Sequence, residues 1–300
     1  MAASALNTVV SIPVIAFAED GSVDVAGSQA AIDRMASAGI TAFTATGNTG
    51  EFYSLSAEER RTAHRLTAEA APGAQLIAGV GLDVATAIAE GQHALDAGFQ
   101  SVMVHHPPHP FVSPEGWLEY NLAIARALPD ANIVPYVKSP LIPRETIRRL
   151  IDRAENVGAV KFAVADPTEF GQVVTETVRP VQWVCGVAEM WAPTFWGVTG
   201  VAAFTSGLAN VAPKLSLELF AALQAGDLAK ATELWQLVAP FERLRFDHAS
   251  KNNVSVVKSA LGRLGVCSSA VRAPISQLGQ AEERIVAEVL DALRDAGLLD

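Results

Sequence analysis

The sequence predicts a (β/α)8 barrel, an α/β fold, followed by a helical C-terminal appendage. Short apolar, β-branched runs alternate with amphipathic stretches along most of the chain. Most of these runs are apolar throughout, as parallel strands covered on both faces are. Roughly eight such units precede Ala225, close to the ~250 residues this barrel typically needs. A doubly wound open sheet would normally carry Gly-x-Gly-x-x-Gly straight after its first strand, and that pattern is missing there.

Taken in order, the first strand is expected at Val9–Ile15, and Asp24 or Ser28 can open the first helix. The second strand, Ala42–Thr46, runs into a Gly-rich turn, after which Ser56-Ala57-Glu58-Glu59 has the spacing of a capping box. Leu76–Gly81 and Ser101–Val104 are the next strands, with helix starts at Asp83 and at Ser113-Pro114. Ile133–Tyr136, then a helix start at Pro143 and Glu145, then Ala159–Phe162, Gln182–Cys185 and Val201–Phe204 complete the set. Gly39, Gly98 and Gly158 fall where helices should end before a strand. Past Ala225 the strand pattern stops, and Asp227–Arg245, Val254–Leu264 and Gln280–Ala296 read as helices. The expected division is a barrel over 1–225 carrying the active site and a helical extension over 226–300 packed on it.

Composition narrows the class. With 50% hydrophobic and 18% charged residues, 300 residues suit one large compact domain that needs no disulfide staples. Cys185 and Cys267 lie far apart without CxxC spacing, which fits a reducing cytoplasm and offers no zinc or redox motif. A net charge of -10 with no basic cluster argues against a nucleic-acid partner. The apolar N-terminus lacks a basic region and is interrupted by Pro13, so it reads as a buried strand and not a signal peptide. No apolar run approaches the ~20 residues of a membrane span, and a cytoplasmic, membrane-free protein is expected.

In a barrel, residues at the C-terminal ends of the strands face the active site. Lys161 stands out, inside the apolar run Gly158-Ala159-Val160-Lys161-Phe162. Burying an ammonium costs several kcal/mol unless it is paired or neutralised, and the same desolvation frees the amine to attack a carbonyl. The plainer reading is a lysine whose stem packs while its head escapes to the barrel mouth. Tyr136 ends the preceding strand and should stand beside Lys161, where a phenol can shuttle protons; alone it would read as a packed ring. The turn Gly47-Asn48-Thr49-Gly50-Glu51 offers two glycines, a hydroxyl and successive N–H groups for a substrate carboxylate. Glu51 reads better as a structural acceptor for turn amides than as a catalyst. Ser206 and Asn210 are expected at the mouth, binding sugar-acid hydroxyls or capping loops. His105-His106-Pro107-Pro108-His109 invites a metal reading, but adjacent strand residues point to opposite faces and no carboxylate partners are evident, so no metal is expected. A histidine of this run, His109 in particular, is expected to line the pocket. Trp183, Trp191 and Trp196 read as core or interface residues.

Gly47–Glu51, Tyr136 and Lys161, in this order and spacing, resemble the dihydrodipicolinate synthase/N-acetylneuraminate lyase family of class I aldolases, as does Arg272-Ala273-Pro274 in the tail. The resemblance covers essentially the whole chain. It implies catalysis through an imine on Lys161 with Tyr136 as proton shuttle, no cofactor beyond that covalent imine, and a homotetramer. The synthases usually carry Thr where Asn48 stands, a relay Tyr near His109, and an Arg shortly after the strand-end Tyr; this chain reads Tyr136-Val137-Lys138-Ser139-Pro140-Leu141-Ile142 there. Thr49–Leu55, Ala188-Glu189, Ser206 to Pro213 and the tail are more similar to 5-dehydro-4-deoxyglucarate dehydratases. The resemblance therefore implies a lyase that dehydrates a 2-oxo-3-deoxy sugar acid. A pyruvate-releasing aldolase, a dihydrodipicolinate synthase-like condensation, a metal-dependent barrel hydrolase and a non-catalytic ligand-binding barrel are the other readings.

Overall fold

The computed structural model describes residues 6–198 and 200–299. Eight parallel strands close into a barrel in sequence order: β1 (Val9–Ser11), β2 (Ala42–Ala45), β3 (Gln75–Val80), β4 (Ser101–Val104), β5 (Asn132–Val137), β6 (Ala159–Phe162), β7 (Gln182–Cys185) and β8 (Val201–Ser206). Between them run α1 (Val25–Ser37), α2 (Ala57–Ala70), α3 (Val84–Asp96), α4 (Pro114–Ala127), α5 (Arg144–Arg153), α6 (Pro167–Glu176) and α7 (Ala188–Trp196), with α8 (Pro213–Ala225) after β8. The tail adds α9 (Leu228–Ser250), α10 (Asn253–Arg263) and α11 (Gln280–Asp295). The barrel and its appendage are thus as the sequence predicts.

The helix starts follow their caps. Asp24, Asp83 and Ser113 each accept the backbone N–H of the third residue of their helices, and Ser56 and Glu59 close a full capping box. Gly39 and Gly98 end α1 and α3 in the left-handed region, at φ 101° and 90°. Gly158 does not: it precedes β6 because a Cβ there would collide with the Asn132 side chain. β1 stops at Ser11, short of the expected Ile15, because Pro13 has no N–H for the ladder.

Alternation along the strands sorts two layers. Val10, Ala42, Ile77, Met103, Val134, Ala159, Val184 and Ala203 fill the barrel interior. The other faces pack beneath the helices in a larger core that continues without a break into Leu234, Val238, Phe241, Val257 and Leu261 of the tail. The pleat therefore decides which strand-end residues can meet a substrate. On β6, Ala159 and Lys161 alternate with Val160 and Phe162, which lie in the outer core. Among the described residues no helix is long and apolar enough to cross a membrane.

Candidate active site

A cavity of about 490 Å3 opens at the C-terminal end of the barrel, lined by residues that include Ile12, Asn48, Thr49, Tyr136, Lys138, Lys161, Thr205 and, from the tail, Arg245 and Asn253. A crevice of about 410 Å3 at the other end is lined by Ala, Gly, Gln, Leu and Ser only and holds no titratable group.

Lys161 is 3% exposed and pairs in register with Tyr136 on β5. Its Nζ lies over the Tyr136 ring, 4.3 Å from the centroid. No carboxylate pairs with it among the described residues. Burial, reinforced by the positive charge of Lys138, lowers its pKa to about 7. Gly186 lacks a Cβ where one would press on the Lys161 stem. Tyr136 is buried, which pushes its phenol well above the ordinary value, and its Oη accepts from Asn48 Nδ2 at 3.3 Å. Lys161, Tyr136 and Asn48 are thus brought together.

The turn after β2 is a short 3-10 helix, Asn48–Gly50. The Gly50 and Glu51 amides close it onto Gly47 O and Asn48 O, at 3.0 and 3.1 Å. A 3-10 helix leaves its first amides without intrahelical acceptors, so those of Asn48 and Thr49 remain for a ligand, and Thr49 lines the cavity. Gly47 and Gly50 do not line it. They are required by packing: a Cβ would meet Ile12 at the first and Pro13 O at the second. Thr46 and Glu51 bracket the turn at φ 57° each, an uncommon conformation for residues with side chains, held in place by the surroundings.

Those surroundings are histidine and tail. The Thr46 hydroxyl lies 2.8 Å from Gly79 O and 3.0 Å from His64 Nε2. His105 Nε2 donates to Thr46 O at 2.9 Å, and its ring stacks on Phe52 at 4.1 Å. Glu51 does not cap turn amides; it forms a fully buried ion pair with Lys258 of α10 and accepts from the Arg272 N–H at 3.2 Å. Lys258 also donates to Ala270 O at 2.9 Å and lies 3.9 Å from the Phe17 ring centroid.

Burial lowers both His64 and His105 from 6.5 to about 3. Unfolded chains take up these protons near pH 6.5, folded ones only near pH 3, so stability present at neutral pH is lost as pH falls through that window. Thermal unfolding between pH 7 and 4 is expected to show a falling Tm, with a shallower slope in His64→Gln.

Ser206, Asn210 and His109 do not meet Lys161. β8 runs two residues past the expected Phe204, so the pleat points Thr205 into the cavity and Ser206 outward. Ser206 Oγ donates to Glu189 Oε1 at 2.5 Å, and Ser216 Oγ donates to the same oxygen at 2.6 Å. Glu189 is buried there outside the cavity, its carboxyl raised to about 7 by burial and by Glu242. Asn210 is a clip: it accepts from Val14 N and donates to Ile12 O and Gly207 O, which uses up its amide. His109 sits in an exposed Pro-rich loop, accepts from Phe111 N, and lines a separate groove with His106 and Leu141. None of the histidines of that run lines the Lys161 cavity. Trp183 lies in the outer core, with Trp191 and Trp196 packed against it. Sequence reasoning missed Lys138, Arg245 and the Glu51–Lys258 pair. The signal available for Arg245 was Glu242 three residues before it, between Phe241 and Leu244 on a helix.

The profile of the dihydrodipicolinate synthetase family matches residues 5–293. A probable 5-dehydro-4-deoxyglucarate dehydratase of Rhizobium rhizogenes is 26% identical over 95% of both chains. A 4-hydroxy-tetrahydrodipicolinate synthase of Chelativorans sp. is 31% identical over 96% of this chain and 97% of its own. The crystal structure of dihydrodipicolinate synthase from Bacillus clausii superposes with a TM-score of 0.93 at 36% identity, covering 97% of this chain and 99% of that one.

Proposed function

Because the chain belongs to the dihydrodipicolinate synthetase family, of the class I aldolase superfamily, we propose that it is a Schiff-base lyase that dehydrates a 2-oxo-3-deoxy sugar acid. The observation that carries this reading is Lys161, buried at the floor of a cavity with no carboxylate partner among the described residues and resting on Tyr136.

The substrate carboxylate binds the Thr49 hydroxyl and the Asn48 and Thr49 amides. The Lys161 amine attacks the keto carbon, and the carbinolamine loses water to give an iminium, an electron sink that needs no metal or organic cofactor. Loss of a C3 proton gives the enamine; its electrons then expel the C4 hydroxyl, which leaves as water once protonated. Hydrolysis of the conjugated iminium returns the lysine. Tyr136 supplies and accepts the protons near the imine carbon. Asn48 departs from the hydroxyl expected of a synthase: an amide N–H donates to Tyr136 but cannot pass a proton on. A relay of hydroxyls is capped at this point, which favours dehydration over condensation, as does the name carried by the Rhizobium relative.

Incubation with 2-oxo-3-deoxy sugar acids and analysis of the products tests the reaction type. Loss of one water with the carbon chain intact at C3–C4 is the expected result; release of pyruvate would make the protein an aldolase instead. Tyr136→Phe should lower kcat by ~10^2 to 10^4-fold while KM changes little, measured by steady-state kinetics. The rate of imine formation should rise with pH through about 7, where the Lys161 amine becomes free, and fall about tenfold per pH unit below it. Stopped-flow trapping across pH 5–8 reads that limb. We further propose a homotetramer in the cytoplasm, with a small-molecule acid as the sole partner besides itself; sedimentation should return four times the 31.6 kDa of one chain.

A further inference from the structure

The seam between barrel and tail buries two acids against one base. Glu189 of α7 and Glu242 of α9 are both fully buried, and Arg245 of α9 is nearly so. Glu189 Oε1 accepts from the Ser206 and Ser216 hydroxyls, and Glu242 Oε1 accepts from Arg245 Nη1 at 2.5 Å. The second oxygen of each carboxyl has no hydrogen-bond partner among the described residues. Two carboxylates and one guanidinium would leave a net negative charge and two bare acceptors in a site without water, which desolvation strongly opposes. One proton between the carboxyls neutralises the set and supplies a donor where none stands, as in acid pairs that share a site.

The elements packed around the seam bring no other charge to it. β8 and α8 contribute the two serine hydroxyls, and α6 meets α7 through Phe170, 4.7 Å from the Phe195 ring. β7 contributes Cys185, whose thiol burial pushes up to about 12. α10 offers the Asn253 amide side chain, and α11 buries only valines and leucines. Arg245, held by Glu242, in turn spans a strained turn. Its Nε donates to Asn253 O and its Nη2 to Asn253 Oδ1, both at 3.2 Å. Between those residues the helix breaks at Asp247 (ψ 151°), and His248, Ala249 and Ser250 follow at φ 52°, 57° and 62°. Successive left-handed residues with side chains are costly and last only where neighbours hold them. Phe246, Ala249 and Ser250 line the cavity, and the Arg245 head lies over Gly207 of the barrel, where a Cβ would collide with it.

We propose that one proton shared between Glu189 and Glu242 acts as a clasp, which keeps Arg245 braced across residues 246–252 and so holds the tail's share of the cavity wall against the barrel. Losing the proton sets two carboxylates against each other across the seam between α7 and α9, weakens the hold on Arg245 and lets the strained turn relax. Neither carboxyl lines the cavity, so the clasp is independent of the imine chemistry. Burial and Glu242 raise the Glu189 carboxyl from 4.5 to about 7. The closed form therefore keeps a proton that an opened or unfolded chain gives up near 4.5, and the clasp is tightest below that value and is lost as pH rises through about 7.

Glu189→Gln fixes the clasp shut, since its amide donates to the free Glu242 oxygen and has no proton to lose. Hydrogen exchange read by mass spectrometry, corrected for the intrinsic pH dependence of exchange, follows residues 246–256 from pH 4.5 to 8. In wild type, protection there should fall by about tenfold per pH unit between about 5 and 7 and level off above. In Glu189→Gln it should stay constant. Urea unfolding gives a second readout: Glu189→Gln should gain stability relative to wild type as pH rises from 4.5 to about 7. Ala249→Gly takes the left-handed conformation without strain, and should raise protection several-fold at every pH while keeping the wild-type slope. Wild-type protection that does not change with pH, equal slopes in wild type and Glu189→Gln, or a stability difference that does not vary with pH would overturn the clasp. Protection unchanged or lowered in Ala249→Gly would overturn the strained turn as the part it holds. The wild-type slope and the Ala249→Gly offset decide the matter even where Glu189→Gln does not fold.

Discussion

Lys161→Ala is expected to fold normally and to lose about 10^4-fold or more in kcat/KM, the largest effect of any single change in this protein. The folding half follows from desolvation: the amine is buried with no carboxylate partner among the described residues, so its removal strands no partner charge there and relieves a cost. The catalytic half follows from the imine, for which no other amine at the floor of the cavity can substitute. Lys138 lines the same cavity, but it follows β5 and not β6, and it does not rest on the Tyr136 ring as Lys161 does. Kinetics alongside circular dichroism check both halves; activity within tenfold of wild type would rule out the assigned nucleophile.

Lys258→Met is expected to cost about 3–5 kcal/mol of stability, because it leaves Glu51 charged and unpaired in a fully buried site. The cost reaches function through geometry. Glu51 holds the left-handed end of the turn that presents Asn48 and Thr49, and the same carboxylate accepts from Arg272 N in the tail. Loosening it should raise KM for the 2-oxo-3-deoxy sugar acid more than it lowers kcat. The partner change Glu51→Gln, combined with Lys258→Met, removes the uncompensated charge and should recover much of the stability. Urea unfolding of the single and double variants measures the difference; equal stabilities for Lys258→Met and wild type would show that the pair carries no weight.

These two residues mark how far the sequence could be read. Lys161 was legible because a charge inside an apolar, β-branched strand is rare and demands a reason, and Tyr136 was legible because it ends the adjacent strand. Lys258 was not, since a lysine within an amphipathic helix ordinarily points to water; only the packing of α10 against the turn makes it a buried partner. Ser206 was misjudged by a single step of the pleat, which Thr205 occupies instead. Asn210 has the right chemistry for a sugar hydroxyl, but its amide is consumed in clipping the exits of β1 and β8. The eight strands were readable because parallel strands buried on both faces are apolar throughout, whereas the end of β1 turned on one missing N–H, at Pro13.

A covalent imine on Lys161 can be captured by borohydride reduction in the presence of pyruvate followed by peptide mass spectrometry. One reduced pyruvyl adduct is expected, on the peptide carrying Lys161, dependent on both pyruvate and reductant and lost in Lys161→Ala. Turnover of a 2-oxo acid with no adduct at Lys161, or an adduct that persists at another lysine in the variant, would contradict it.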